Sequence, residues 1–505
     1  MCVKSLLRIA LVLAMTGMSG IAAAQSQHSS SPHHPGGEQG VLRLLPSGSV
    51  TQHSIDTAQG KLAYTATAGM LPLYSGSGER SGSIFYTAYV KKDEGSGRPL
   101  TFVFNGGPGA ASAFLHLGLA GPRILDLGPN ARDVAHAKLH DNPDTWLRFT
   151  DLVFIDPIGT GWSRTVKPED AKHFWSVDSD AESMAKAIAL YVAKNNRDGS
   201  PKYILGESYG GFRAAKVARS VQHDQGIVIA GIVMLSPLLE GWLTFGDDQS
   251  ALNSALILPS LAAAQLERGN QLTDDKVKAA EKFALGPYLS TLAGSPPQGE
   301  AAHAFYEKVA QLSGLPLDLI TRQHGFVTNG VTKNLREGKI VSHYDATFAV
   351  DAPYPDRDSS HAPDPILSGV ARAYGGAFAA YARNELNYKT EVTYKLLADD
   401  VTRGWDWGHG RSRIGVENDL RLLLSFDPSF RLLIGHGLTD LVTPFAETQY
   451  VLDHMPSFAP AGRVSFKLYR GGHMIYLDPS SRKDFTADAA AFYRTGETEN
   501  ASPSP

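Results

Sequence analysis

Gly206-Glu207-Ser208-Tyr209-Gly210 sets a serine between two glycines, directly after the apolar run Tyr203-Ile204-Leu205 and ahead of a segment with helical character. A strand, a sharp turn and a helix in that order would lift the serine oxygen above the end of a sheet, where it can attack an acyl carbon. The glycines permit the tight turn. A serine needs a base to take its proton, and the base needs an acid to orient it. Asp440 follows the strand-like run Phe430-Arg431-Leu432-Leu433-Ile434, on the loop that begins Gly435-His436-Gly437. His473 follows the alternating run Val464-Ser465-Phe466-Lys467-Leu468-Tyr469, after Gly471-Gly472. Both lie just past strand ends, where open α/β sheets build their sites. Of the 17 histidines, His473 has this context and follows the acid. His436 precedes Asp440, out of order, and reads as a loop residue that shapes the acid's turn.

The third element is Asn105-Gly106-Gly107-Pro108-Gly109, after the β-rich run Leu100-Thr101-Phe102-Val103-Phe104. By itself it reads equally as a plain tight turn. Upstream of the serine and right after a strand, it suits an oxyanion loop, because backbone N–H groups can converge there with no Cβ in the way. The N–H of Tyr209, after the serine, would be the second donor.

These pieces, with Asp156-Pro157-Ile158-Gly159-Thr160-Gly161-Trp162-Ser163, resemble the serine carboxypeptidase family of the α/β-hydrolase superfamily. They occur in the family's order across residues from about 100 to 480. The resemblance implies Ser208 as nucleophile, His473 as base and Asp440 as orienter. It implies Gly107 and Tyr209 as oxyanion donors, and Asn105 and Glu207 as ligands of a substrate's terminal carboxylate. There are three departures. A Glu that in the family pairs with the elbow Glu is replaced by Leu119. The family's Cys after the oxyanion loop is Ala110. The Asp156 segment is one residue shorter than the family's form. The chain therefore resembles a divergent, bacterial-type branch, and carboxylate recognition is the point on which it departs.

The elements needed to hold this site can be read coarsely. Residues from about 45 to 105 alternate between Gly/Ser turns and read as an antiparallel start to a sheet. Asp151 to Asp156 and residues 227–235 read as buried strands. Ser179-Asp180-Ala181-Glu182 has capping-box spacing and would open a helix to about Asn195. Between about Gly241 and Asn418 the pattern is mainly helical: residues 273–285, stopped by Gly286-Pro287; residues 300–312; and residues 365–386, with Asp364 as N-cap. Trp405 and Trp407 either line the site or, as expected, fill the core of this insertion. The expected fold is α/β, an α/β-hydrolase with a mostly parallel sheet, helices on both faces and a helical cap. Its parts are a core over 45–240 and 426–494 and a cap over 241–425.

Charged residues make up 19% of the 505 residues and hydrophobic ones 43%, the range of a packed domain. A formal net charge of -4 points to neither nucleic acid nor an anionic membrane as partner. There is no metal-ligand cluster in the sequence, and no cofactor is expected. His28, His33 and His34 fall in a Ser/Pro/Gly-rich linker, residues 25–44. Residues 1–24 read as a signal peptide: Lys4 and Arg8, an apolar run over residues 9–15, and Ala22-Ala23-Ala24 before Gln25. Cys2, the single cysteine, would leave with it. Residues 495–505 read as a disordered polar tail.

The reading is a secreted or periplasmic serine-type carboxypeptidase acting on peptides through an acyl-enzyme. An esterase or acyltransferase would use the same triad. A prolyl iminopeptidase would carry His where Asn105 stands. A dead binding protein would have lost a triad member. The native protein is expected to begin at Gln25, outside the cytoplasm. N-terminal sequencing that finds Met1 or Cys2 retained would contradict this.

Overall fold

A computed structural model describes residues 40–57, 60–128, 131–247, 249–328, 335–354 and 362–500, with side chains as far as Arg494. The expected signal peptide, residues 25–39 of the expected linker and residues 501–505 lie outside the described residues.

Among the described residues fourteen strands are formed: β1 Gly48–Thr57, β2 Gly60–Tyr74, β3 Arg80–Lys91, β4 Leu100–Phe104, β5 Arg123–Asp126, β6 Lys138–Asp141, β7 Asp151–Ile155, β8 Arg164–Thr165, β9 Lys202–Glu207, β10 Gly231–Leu235, β11 Lys339–Val341, β12 Ala349–Asp351, β13 Arg431–Gly437 and β14 Val464–Tyr469. Ten make one sheet in the order β1-β2-β3-β7-β4-β9-β10-β13-β14, with β8 beside β3. The first three strands pair antiparallel, as does β3 with β7. From β7 to β14 every pairing is parallel. Strands β4, β7, β9 and β10 are fully buried runs, as expected of parallel strands covered on both faces. Val103, Leu205, Val233 and Leu433 face one core, with the helix Pro479–Asn500 and Tyr374, Phe378 and Tyr381 of the helix Ala371–Asn384. Phe102, Ile204, Ile232 and Leu432 face the other, with the helices Val177–Lys194 and Tyr209–Gln225. This is the α/β-hydrolase arrangement.

The chain leaves β4 for β7 on one side and later returns to β9 on the other. The switch point therefore lies between β4 and β9, where open α/β sheets bind ligands. The parallel strands bring their carboxyl ends to one edge. Between β10 and β13 lies the mainly helical insertion, which packs a third apolar cluster around Leu258, Leu261, Tyr288, Val309 and Ile320.

Several local expectations change. The helix after Trp175 begins at Val177, capped by the Ser176 hydroxyl, which accepts from the Ser179 N–H. Thr273 caps its helix as a Thr should, but Gly286-Pro287 does not stop it. A π turn over Ala284–Tyr288 absorbs Pro287, and the helix resumes at Leu289–Ala293. Asp364 does cap: its carboxylate accepts from the Ile366 and Leu367 N–H groups, at 2.9 and 3.3 Å. Helix Pro479–Asn500 runs into the stretch read as a tail.

At the opposite, amino-terminal edge of the sheet, Asp151 is buried between two arginines. Arg197 Nη1 donates to Oδ2 at 2.6 Å, and Arg98 Nε donates to Oδ1 at 3.0 Å. Asp151→Asn would leave buried Arg197 without a carboxylate and Arg98 with Glu94 alone, and should cost about 3 kcal/mol. The change should appear as a lower denaturant midpoint, with labelling of Ser208 by a fluorophosphonate unchanged. An unmoved midpoint would contradict this account of the trio.

Candidate active site

Strand β9 ends at Glu207, and Ser208 turns the chain with φ 61° and ψ −129° into the helix Tyr209–Gln225. A serine rarely adopts a positive φ, and the conformation persists only where its surroundings enforce it. Here the Ser208 N–H donates to Leu235 O at 2.9 Å, and the Ser208 carbonyl accepts from Leu238 N at 3.2 Å. The helix points its positive end at the serine. Ser208 is partly exposed in a buried neighbourhood.

The loop after β4 packs directly on this turn. A Cβ on Gly106 would lie 2.6 Å from Tyr209 N, 2.7 Å from Glu207 O and 2.7 Å from Gly210 N. Only a residue without a side chain fits. Gly107 follows with φ 104° and is exposed. Among the described residues no acceptor meets the Gly107 or Tyr209 N–H. The loop is pinned on its far side. The Ser112 N–H and hydroxyl both donate to Asp156 Oδ1 at 2.8 Å. Asn105 Oδ1 accepts from Leu115 N at 3.1 Å. The Asn105 carbonyl accepts from buried Arg213, whose Nε donates to Asp180 Oδ2 at 2.6 Å.

Asp440 and His473 meet at the same edge. His473 Nδ1–H donates to Asp440 Oδ2 at 2.7 Å, and both side chains are buried. Asp440 Oδ1 accepts from the N–H groups of Val442 and Thr443, at 2.7 and 3.2 Å. The Thr443 hydroxyl lies 2.9 Å from Asp440 Oδ2 and 3.0 Å from Ser236 O. The Ser236 hydroxyl in turn donates to His473 O at 2.9 Å. Consecutive residues at the end of β10, Leu235 and Ser236, thus tie down the amide of Ser208 and the carbonyl of His473. A Cβ on Gly437 would lie 1.9 Å from Gly472 O, so the acid's loop and the base's loop touch backbone to backbone. His473 Nε2 is buried and has no hydrogen-bond partner. With Nδ1 bonded to the carboxylate, Nε2 is the free basic nitrogen. Burial disfavours the imidazolium, but Asp440 and Glu207 outweigh it and raise the pKa of His473 above its ordinary value.

Glu207 is buried beside this pair. Asn105 Nδ2 donates to Oε2, and the Tyr476 hydroxyl lies 3.1 Å from both carboxyl oxygens. Burial pushes the carboxyl up to about 7, against His473, Tyr476 and Asn105, which favour the anion.

The residues Asn105, Gly107, Glu207, Ser208, Tyr209, Asp440 and His473 are brought to one edge of the sheet, as the sequence reading required. Four details differ from that reading. His436 lies inside β13, where it bonds the Thr448 hydroxyl at 2.8 Å, and burial lowers its pKa to about 3. It is a neutral packing residue of the strand. Trp405 and Trp407 pack edge-on to Tyr209 at 5.4 and 5.6 Å, and they belong to the core beneath the elbow helix rather than to the insertion's own core. Glu207, expected to lack a partner because Leu119 is apolar, has the Tyr476 hydroxyl. The insertion also sends Tyr344 into the site: its ring lies edge-on to His473 at 5.1 Å, and its carbonyl accepts from His473 N at 2.6 Å. Thr443 and Tyr476 lie three residues after Asp440 and His473. That spacing was the only sequence signal that could have found them. Tyr344 had none.

Among the described residues no group of three or more His, Cys, Asp or Glu is placed to hold a metal ion, and no helix is long and apolar enough to cross a membrane.

The sequence model of the serine carboxypeptidase family matches residues 60–240. The chain is 26% identical over 167 residues to serine carboxypeptidase-like 35 of Arabidopsis thaliana, a match covering 32% of this chain and 34% of the relative. It is 24% identical over 223 residues to a pheromone-processing carboxypeptidase of Aspergillus fumigatus, covering 40% of this chain and 32% of the relative. The chain thus spans about a third of the length of these curated relatives. Among solved structures it is similar to a proline iminopeptidase of Mycobacterium smegmatis, at 15% identity and a TM-score of 0.39, covering 86% of this chain and 99% of that one.

Gly106→Ala tests the contact between loop and elbow. Its Cβ must displace backbone on three sides, so the Gly107 and Tyr209 N–H groups should move apart. Hydrolysis of an activated ester is expected to fall on the order of a hundredfold, the scale of losing one oxyanion donor. A rate within twofold of wild type would contradict the packing.

Proposed function

Because residues 60–240 belong to the serine carboxypeptidase family, we propose that this serine hydrolase removes residues from the carboxyl ends of peptides. The observation that carries the proposal is the pairing of a buried carboxyl, Glu207, with Asn105 beside a serine held at φ 61°. A hydrolase that reads only an acyl chain has no use for a buried acid next to its nucleophile. An exopeptidase that grips a terminal carboxylate does.

Ser208 Oγ attacks the carbonyl carbon of the last peptide bond, and its proton passes to His473 Nε2. Asp440 holds the tautomer and stabilises the imidazolium. The N–H groups of Gly107 and Tyr209 bind the oxygen as it becomes negative. Collapse of the intermediate breaks the C–N bond, and His473 returns the proton to the leaving amino acid. Water, deprotonated by His473, then releases the acyl group and restores Ser208.

The terminal carboxylate can approach Glu207 cheaply only if one of the two acids carries a proton. With its pKa at about 7, Glu207 supplies that proton below neutrality. Asn105 Nδ2 keeps one N–H for the substrate when the other serves Glu207. The leader and the site of action outside the cytoplasm belong to the same proposal.

Ser208→Ala should remove nearly all turnover, a drop of about a millionfold, and His473→Ala should do the same. Asp440→Asn should cost on the order of ten-thousandfold. A His473→Ala enzyme that retains more than a few per cent of the rate would sink the assignment.

The pH dependence should also divide by substrate. Protonated Glu207 is lost as pH rises through about 7, so hydrolysis of free-acid peptides should fall there. Ester hydrolysis, which needs only neutral His473, should go on rising until that residue has lost its proton. Glu207→Gln should flatten the peptide limb and spare the ester profile. Identical profiles for the two substrates in wild type would favour an esterase.

A further inference from the structure

Tyr476 lies three residues after the base, on the short helix Ile475–Leu477, and its ring is buried. Its hydroxyl is 3.1 Å from Glu207 Oε1 and 3.1 Å from Oε2. The space for the ring is created by a second residue far away in sequence. A Cβ on Gly118 would lie 2.6 Å from Tyr476 Cδ2 and Cε2. Gly118 belongs to the π turn His116–Ala120, which also carries the fully buried Leu119. Leu119 stands where the resemblance to the family calls for a second acid. One turn of chain therefore carries both the missing acid and the vacancy that admits the phenol.

The geometry points to Tyr476 as the positioning residue for Glu207, a hydroxyl in place of the second acid, setting the carboxyl that reads the substrate's terminus. The inference rests on the carboxypeptidase reading given above. Its physical basis is that the two partners differ in kind. Two acids share a proton, because like charges in contact cannot both ionise. A phenol carries no charge and keeps its proton to high pH, so it donates to the carboxylate and favours the anion. The other groups facing Glu207 are accounted for. His473 and Asn105 favour the anion, Asp440 opposes it, and Tyr344 and Tyr374, both on the insertion, feel its charge. Tyr476 is the phenol in hydrogen-bond contact.

Removing the hydroxyl should weaken the anion and raise the pKa of Glu207. Tyr476→Phe is therefore expected to move the alkaline limb of kcat/KM for a free-acid peptide upward by about one pH unit. At pH 8 the rate, as a fraction of its own plateau, would rise about fivefold, while the ester profile keeps its shape. Gly118→Ala, which pushes on the same ring, should move the limb in the same direction. A purely packing role would lower both substrates alike and leave the limb in place. If Glu207→Gln flattens the peptide limb but neither Tyr476→Phe nor Gly118→Ala moves it upward, the role of Tyr476 is overturned and the carboxypeptidase reading stands. If Glu207→Gln leaves the limb intact, the carboxylate reading falls first, and this inference falls with it.

Discussion

Backbone in contact with backbone holds the site together. Gly106 of the loop after β4 lies against the amides of Tyr209 and Gly210, and Gly437 lies against the carbonyl of Gly472. These contacts set the spacing between loops that come from four different strands. A side chain at either glycine would open a gap of ångströms, and a hydrogen-bonded catalytic constellation tolerates far less. Neighbouring parallel strands supply the coarse placement, and the glycines complete it. The strained Ser208 backbone is held by the end of β10, through Leu235 O, and by the loop after it, through Leu238 N. The same strand end holds His473 through Ser236.

Burial governs the electrostatics that follow. His473, Asp440 and Glu207 are all withdrawn from water. In such a place an unpaired charge costs far more than a hydrogen bond returns. Asp440 is answered by two N–H groups, a hydroxyl and the imidazole. Glu207 is answered by an amide and a phenol, which do not fully offset the cost, and its pKa stays near neutrality. The pKa of His473 is raised as well, against its burial, by the carboxylates around it, Asp440 foremost. A base whose proton is favoured thus stands beside an acid that holds its own up to about pH 7. Beneath them the buried Arg213–Asp180 pair fastens the Asn105 carbonyl to the helix Val177–Lys194. That keeps the oxyanion loop from drifting with the side chains it carries.

Much of the fold was legible because parallel strands covered on both faces are continuous apolar runs, and β14 ends where its alternation ends. Asp440 and His473 were legible because glycine-rich turns mark strand ends. Ser208 was legible from its flanking glycines and their order. What escaped did so for physical reasons. Tyr344 comes from an insertion with its own core, and nothing local ties residue 344 to residue 473. Tyr476 reads as one more aromatic after a histidine, and its meaning depends on Gly118, 358 positions away. Pro287 read as a helix stop, but a π turn leaves its missing N–H without consequence. His436 sits in a run of glycines that reads as loop, but its pairing with Leu468 of β14 and its bond to Thr448 hold it in the sheet.

The central claim is that the buried carboxyl beside Ser208 reads a peptide's free carboxyl end. Mass spectrometry of one peptide, incubated near pH 6 as its free acid and as its amide, tests this most directly. The free acid should lose residues stepwise from its carboxyl end, and the amide should remain intact over the same interval. Residues lost from the amino end, or equal cleavage of acid and amide, would contradict the account.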